Sequence, residues 1–288
     1  MDQREVDTEE VAEIYDELLK TYRKEWEYRG HRSLHFGYYD EDHQEAGEAA
    51  MNTMRVLSEA LDITESDRVL NIGCGAGEDS VWNARAYGAT VVGVNISESQ
   101  LELARENARE HDVTERTEFA YDDFHELETV EDNSIDVVWG LEALSHSADV
   151  GTALGAARRV LVPGGRIGVT DLFVRHDELT PADEDRIRTI NDALGVRLSR
   201  LDAFEDALAT AGFEAVTVRD ITDGVEEATR QRYRFSRVAR PVGRVLGALG
   251  AVSATRVDAL EANAAIHHLV TEGVLGYYVV TAGRPDRS

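Results

Sequence analysis

The chain has 288 residues with 30 basic and 56 acidic side chains, a formal net charge of −26 at pH 7. A field that negative repels nucleic acid and anionic membranes, which excludes a phosphate-backbone binder. A single Cys excludes an internal disulfide, and no apolar run is long enough for a membrane span.

The N-terminus, Met1-Asp2-Gln3-Arg4-Glu5, lacks a basic-then-apolar signal pattern, so the expectation is a cytoplasmic protein with no integral membrane contact. Only Lys20 and Lys24 among the basic residues are lysines. Such acidity points to a salt-adapted, halophilic cytoplasm, where the Debye length falls to about 3 Å at 1 M.

Residues 1–30 read as a helix, with Val11, Ile14, Leu18 and Tyr22 at three- and four-residue spacing. A polar, glycine-containing stretch from Gly30 to Asp42 precedes a second amphipathic helix, Ala46 to Leu61. Then strands and helices alternate. Strands are expected at Arg68–Ile72, Thr90–Val94, Thr117–Ala120, Ile135–Trp139 and Arg166–Thr170. Helices are expected over Ser80–Tyr87, Ser97–His111 and Val150–Val160, with a turn at Pro163-Gly164-Gly165. Alternation at this spacing implies right-handed crossovers and a doubly wound, mostly parallel sheet.

After Asp171 the pattern loosens. A helix from Arg200 to Ala211 and a strand at Ala215–Val218 are followed by a helical block, 223–272, and a last strand at Tyr277–Thr281. That block is too long for a plain connection and reads as a lid over a substrate. The division expected is therefore an N-terminal helical cap (1–65), a Rossmann-like core (66–172), and the rest of a seven-stranded α/β sheet with its helical lid (173–288).

Gly73-Cys74-Gly75-Ala76-Gly77 follows the first strand and opens a helix. Glycines there let the backbone turn tightly and let a ligand approach where a Cβ would clash. The Gly-x-Gly-x-Gly spacing differs from the Gly-x-Gly-x-x-Gly dinucleotide fingerprint. Asn95 ends the second strand and Asp122-Asp123 follow the third, so three strand ends converge on one crevice.

Val69-Leu70-Asn71-Ile72-Gly73-Cys74-Gly75-Ala76-Gly77, Gly93-Val94-Asn95-Ile96-Ser97 and Leu161-Val162-Pro163-Gly164-Gly165 resemble the motif set of class I S-adenosylmethionine-dependent methyltransferases. The likeness covers about residues 30–173 and returns in Gly276–Val280. Ser97-x-x-Gln100, His35-Phe36-Gly37-Tyr38 and Trp139–His146 look like the small-molecule enzymes. Nearest are sugar O-methyltransferases of the rebeccamycin type, then sterol, tocopherol and sarcosine/dimethylglycine methyltransferases.

The resemblance implies S-adenosylmethionine as cofactor and S-adenosylhomocysteine as product. It puts Gly73, Gly75 and Gly77 on the methionine moiety, Asn95 on the ribose with Gln100 in support, and Asp123 on the adenine amino group. Ile96 and Phe124 flank the ring, and Asn71, Cys74, Asp122, Gly140 and Leu141 complete the donor site. Many relatives carry acids where this chain has Asn71 and Asn95, which removes the charge-assisted part of a ribose bond. Cys74 reads as packing and not as a nucleophile.

His146, after the fourth strand, and Asp171, at the end of the fifth, match a catalytic His and Asp of the rebeccamycin-type enzymes. A carboxylate beside the imidazole would orient it and raise its basicity. Glu142 is a further candidate, for the donor's amino group or for the acceptor. Phe36, Tyr38, Tyr39 and His146 are expected to touch the acceptor, a small molecule, with Leu34 beside them. No metal is expected, because His31 and His35 are flanked by glycines and lack partners at ligand spacing.

Arg230 to Arg244 holds six arginines and no acid, followed by a small, apolar run to Val252. It is either a solvated helix paired with acidic neighbours or a lid for an anionic or amphipathic acceptor. Hydroxyl methylation is the leading expectation. C-methylation of an isoprenoid or quinone, N-methylation of a glycine derivative, and a non-catalytic S-adenosylmethionine-binding role remain open, with an NAD oxidoreductase behind them. Oligomeric state is not legible.

Overall fold

The computed structural model describes Glu17, residues 32–249 and residues 251–286. The helix expected over 1–30 lies outside the described residues except for Glu17, as does His31.

The strands are β1 (Arg68–Ile72), β2 (Thr90–Asn95), β3 (Thr117–Tyr121), β4 (Ile135–Leu141), β5 (Leu161–Val174), β6 (Glu214–Asp220) and β7 (Leu275–Gly283). They form one sheet in the order β3-β2-β1-β4-β5-β7-β6. All neighbours are parallel except β7, which runs antiparallel between β5 and β6. The helices are α1 (Ala46–Ala60), α2 (Glu78–Tyr87), α3 (Glu98–Glu110), α4 (Val150–Val160), α5 (Pro181–Leu194), α6 (Leu201–Thr210), α7 (Thr222–Ala248) and α8 (Ala254–Thr271).

Strand side chains alternate between the two faces of the sheet, which accounts for two cores. Val69, Val137 and Trp139 join one core with α1, α2, α5, α7 and α8. Leu70, Val92 and Val138 join the other with α4 and α6. The lid helices therefore lie over the same face as α1 and α2.

Three particulars depart from the sequence reading. The helix α5 was not anticipated, although Thr180 caps it through a reciprocal bond with Asp183 and Pro181 occupies its first turn. Pro163-Gly164-Gly165 is not a plain turn. It is an irregularity within β5, whose pairing jumps from Leu161↔Ile135 to Arg166↔Val137. Gly164 takes φ +76° there, and its N–H donates to the carbonyl of Arg284. Finally, the expected boundary at 172 falls inside β5, while β6 and β7 complete the same sheet as expected.

Candidate active site

A cavity of about 610 Å³ opens at the carboxyl ends of β1, β2, β4 and β5. That is the crevice where open α/β sheets hold ligands, and the volume lies in the usual small-molecule range of roughly 300–1,000 Å³.

The donor end is built from short motifs. Gly73 and Gly75 adopt φ +66° and +53°, left-handed conformations that only glycine takes without strain. Both line the cavity, together with Cys74, Asn95, Ile96 and Gln100. Asn95 Nδ2 donates to Gln100 Oε1 over 2.7 Å, while Gln100 Nε2 is buried with no hydrogen-bond partner among the described residues. A buried amide N–H without a partner is costly, and a ligand acceptor would satisfy it. These features fit an S-adenosyl group: glycines leaving room for its amino-acid part, and amides at the second strand end for its ribose.

Asp123 and Phe124 also line the cavity. Asp123 Oδ1 accepts from His125 Nδ1 at 2.6 Å, and His125 Nε2 lies 2.8 Å from Ser147 Oγ. Asp122, although on the wall, spends its carboxylate on Glu128 and Thr129, closing its own loop. Leu141 reaches the cavity, but Asn71, Gly77 and Gly140 do not line it. Asn71 donates to Ser80 Oγ beneath the loop. Gly77 starts α2 at φ +79°, where a Cβ would stand 2.7 Å from that of Ala104, so its role is packing of α2 against α3. Gly140 presses on Ile72 and Val169. Burial pushes the Cys74 thiol far above its ordinary value, which leaves it unreactive.

The chemistry-bearing groups gather at β4 and β5. His146 Nδ1 donates to the Gly195 carbonyl at 2.9 Å, and burial lowers the imidazole's pKa. A proton held on Nδ1 leaves the lone pair on Nε2 of a neutral ring. Asp171, the expected orienting partner, uses its oxygens otherwise: Oδ1 accepts from Leu172 N and Oδ2 from Ser145 N. Burial, with the nearby charge of Glu142, raises the Asp171 carboxyl to about 7. Glu142 sits at φ +50°, and its Oε1 accepts from Phe36 N (2.8 Å) and Tyr277 OH (2.7 Å). Burial and Glu142 raise the Tyr277 phenol well above its usual value, so it stays a donor.

The segment 32–39 closes one side. Leu34, Phe36 and Tyr39 line the cavity, whereas Tyr38 packs against Gly224 at the start of α7. His35, to which the sequence reading gave no role, is buried on the wall with Nε2 3.5 Å from Asp79 Oδ1. Burial alone would lower its pKa, but Asp79 and the charge of Glu142 carry it above the ordinary value. Arg32, Asp79 and His125 were likewise missed; Arg32 and Asp79 meet partners distant in sequence, and His125 bridges Asp123 to Ser147.

The lid comprises α5, α7 and α8. Ala228, Gln231, Arg232, Phe235 and Ala239 line the cavity from α7 at helical spacing, and Arg256, Ala259, Leu260, Asn263 and Ile266 do so from α8. The arginine segment divides between ion-paired side chains and one arginine that lines the cavity. Arg230 pairs with Glu226 and Glu227, and Arg240 and Arg244 pair with Glu261. Arg232, by contrast, lies 4.1 Å over the Phe36 ring and donates to the carbonyls of Leu34 and His35. Val245 and Leu249, in the apolar run, are exposed and off the cavity. Among the described residues no cluster could hold a metal ion, and no helix is long and apolar enough to cross a membrane.

Residues 63–198 match a family described as "methyltransferase domain". The chain is 32% identical over 279 residues to 27-O-demethylrifamycin SV methyltransferase of Amycolatopsis mediterranei, covering 96% of this chain and 97% of that one. It is 30% identical to methyltransferase GfsG of Streptomyces halstedii, over 74% of this chain and 76% of the relative. Other relatives are named as sterol C- and sarcosine/dimethylglycine N-methyltransferases. Among solved structures, the [4+2]-cyclase SpnF superposes with TM-score 0.79 at 24% identity, over 96% of this chain and 97% of that one. That likeness speaks to the fold, since one fold serves many reactions. The chain belongs to the S-adenosylmethionine-dependent methyltransferases of small molecules.

Proposed function

We propose that the protein methylates a hydroxyl oxygen of a small, largely apolar acceptor, with His146 as the base. The observation that carries this reading is the Nδ1–Gly195 bond of a buried, neutral imidazole, which leaves Nε2 able to take a proton. Bound S-adenosylmethionine supplies a methyl group on a sulfonium and departs as the thioether S-adenosylhomocysteine.

Gly73 and Gly75 would admit the amino-acid part of the donor, and Asn95 with Gln100 would receive the ribose hydroxyls. Asp123 would take the adenine amino group, with Ile96 and Phe124 along the ring. Asp79, Asp123 and Glu142 on the same walls favour a cationic donor over its neutral product. The lid helices and segment 32–39 would hold the acceptor in line with the methyl group and exclude water. His146 Nε2 then takes the hydroxyl proton as the oxygen gains the methyl group.

The test is turnover with S-adenosylmethionine on hydroxylated polyketides and glycosides, quinones and sarcosine, read by mass spectrometry. Methylation of a hydroxyl is expected. His146→Ala should lower kcat by roughly 10²–10⁴-fold while S-adenosylhomocysteine affinity stays within about twofold. Turnover of sarcosine alone, or an unimpaired His146→Ala enzyme, overturns the reading.

A further inference from the structure

The two ends of the cavity carry opposite charge. Glu78, Asp79, Asp122, Asp123 and Glu142 line the end formed by the strands and α2. The lid residues that line the other end include Arg232 and Arg256 and no acid, in a chain of net charge −26. Chance placement on so acidic a chain would put carboxylates there too.

The two lid arginines differ. Arg232 is engaged by the Leu34 and His35 carbonyls and by the Phe36 ring. Arg32, also on the wall, is engaged by the Leu103 carbonyl and Glu110. Arg256 has its Nε buried with no hydrogen-bond or ion-pair partner among the described residues. It stands in the first turn of α8, where the macrodipole favours an anion. Three residues before it, Ser253 Oγ is also buried without a hydrogen-bond partner among the described residues. The carboxylate of Glu17 is near in the fold, but it accepts from Thr255 Oγ1.

A buried guanidinium N–H with nothing to bond is a vacancy for an acceptor atom. Nε with the adjacent terminal nitrogen forms the fork that matches an oxyanion bidentately. The surrounding lid wall is apolar: Ala259, Leu260, Ile266, Phe235 and Ala239.

We infer that the acceptor is an amphipathic anion, an apolar body bearing a carboxylate or phosphate, and that Arg256 receives its oxyanion at the lid end. This rests on the reading of the cavity as a methyltransferase site, and it sets the acceptor's orientation: anionic group at α8, hydroxyl toward His146.

Calorimetry on protein saturated with S-adenosylhomocysteine tests it, using decanoate, decyl phosphate and decanol as probes. At least one anionic probe should bind about tenfold tighter than decanol, and which one does so distinguishes carboxylate from phosphate. Because Nε is buried, the preference should persist in about 1 M salt. In Arg256→Gln, checked for an unchanged unfolding midpoint, it should vanish, and in Arg256→Lys part of it should return. Equal affinity of wild type for all three probes, no binding of either anion, or a preference kept by Arg256→Gln overturns the inference. Failure of S-adenosylhomocysteine itself to bind is a separate result, which removes the underlying site reading and the inference with it.

Discussion

The donor end and the lid end of the cavity are built by different means. The donor end comes from contiguous stretches at strand ends: 73–76 after β1, 95–97 after β2 and 141–146 after β4. Each follows a buried strand whose register fixes its position. The lid end collects side chains from 34–39, 190–198, 228–239 and 256–266, none of which makes a motif alone. Backbone conformation thus carries the first, and long-range packing of side chains carries the second.

If that contrast is right, the donor end should be hurt most by backbone changes. The largest effect is expected for Gly77→Val. It forces a left-handed φ on a branched residue and drives its Cβ into Ala104. Strain and overpacking together should cost about 4 kcal/mol, with S-adenosylhomocysteine binding lost, as read by urea unfolding and calorimetry. A stable, donor-binding Gly77→Val would break the comparison.

Asp171, where the two ends meet, is expected to come second. Its carboxyl titrates at about 7 in the fold against an ordinary 3.8. The folded state therefore binds the proton more tightly than the unfolded chain. That stabilisation is complete below about pH 4 and is lost as pH rises through about 7, on the order of 4 kcal/mol in all. Asp171→Asn should flatten this slope, so urea midpoints of wild type and variant compared at pH 5 and pH 8 should diverge with rising pH. Parallel curves would show that the carboxyl is not held protonated.

Glu142→Gln sharpens the same point at smaller cost. The amide keeps an oxygen for Phe36 N and Tyr277 OH but gives up the charge, a loss of about 1–2 kcal/mol. Because the charge of Glu142 helps raise Asp171, the pH at which stability falls should move downward in this variant. Arg230→Ala should do least. Its pairs with Glu226 and Glu227 lie on the exposed face of α7, and their loss should shift stability by no more than about 0.5 kcal/mol.

Legibility in the sequence followed the same division. Buried strands such as Val69–Ile72 and Val91–Val94 announce themselves by apolar runs beside glycines, and Ser97 marks the start of α3 by capping Gln100 N. The helix α5 carried its own signal, Thr180-Pro181-Ala182-Asp183, but its polar majority hid the thin face formed by Ile190 and Ala193. In Pro163-Gly164-Gly165 the residues favour a turn. Pairing with Arg284, more than a hundred residues later, keeps the segment in the sheet.

On the cavity wall, Gly73, Gly75, Asn95 and Asp123 were legible from the strand-end pattern, and Gln100 and Phe124 only through the resemblance to the methyltransferase motifs. Asn71, Gly77 and Gly140 were legible as glycine-loop and strand-end residues, but not as residues that support the wall from behind. The expected pairing of Asp171 with His146 is not made. A one-turn helix, Leu144–His146, directs Ser145 N to Asp171, and the Gly195 carbonyl after α5 supplies the imidazole's partner.

The sequence by itself determined the alternating strands and helices, the left-handed glycines of the donor loop and the sign of the protein's field. Those depend on local conformational preference, on the period of apolar residues and on a sum of charges. Only the tertiary structure decided which charges remain unpaired and where they point. Arg230, Arg240 and Arg244 find carboxylates on α7 and α8, Arg232 finds backbone carbonyls, and Arg256 Nε has no hydrogen-bond partner among the described residues. Pairing of charged side chains depends on distances of a few ångströms between segments far apart in the chain, which only packing sets.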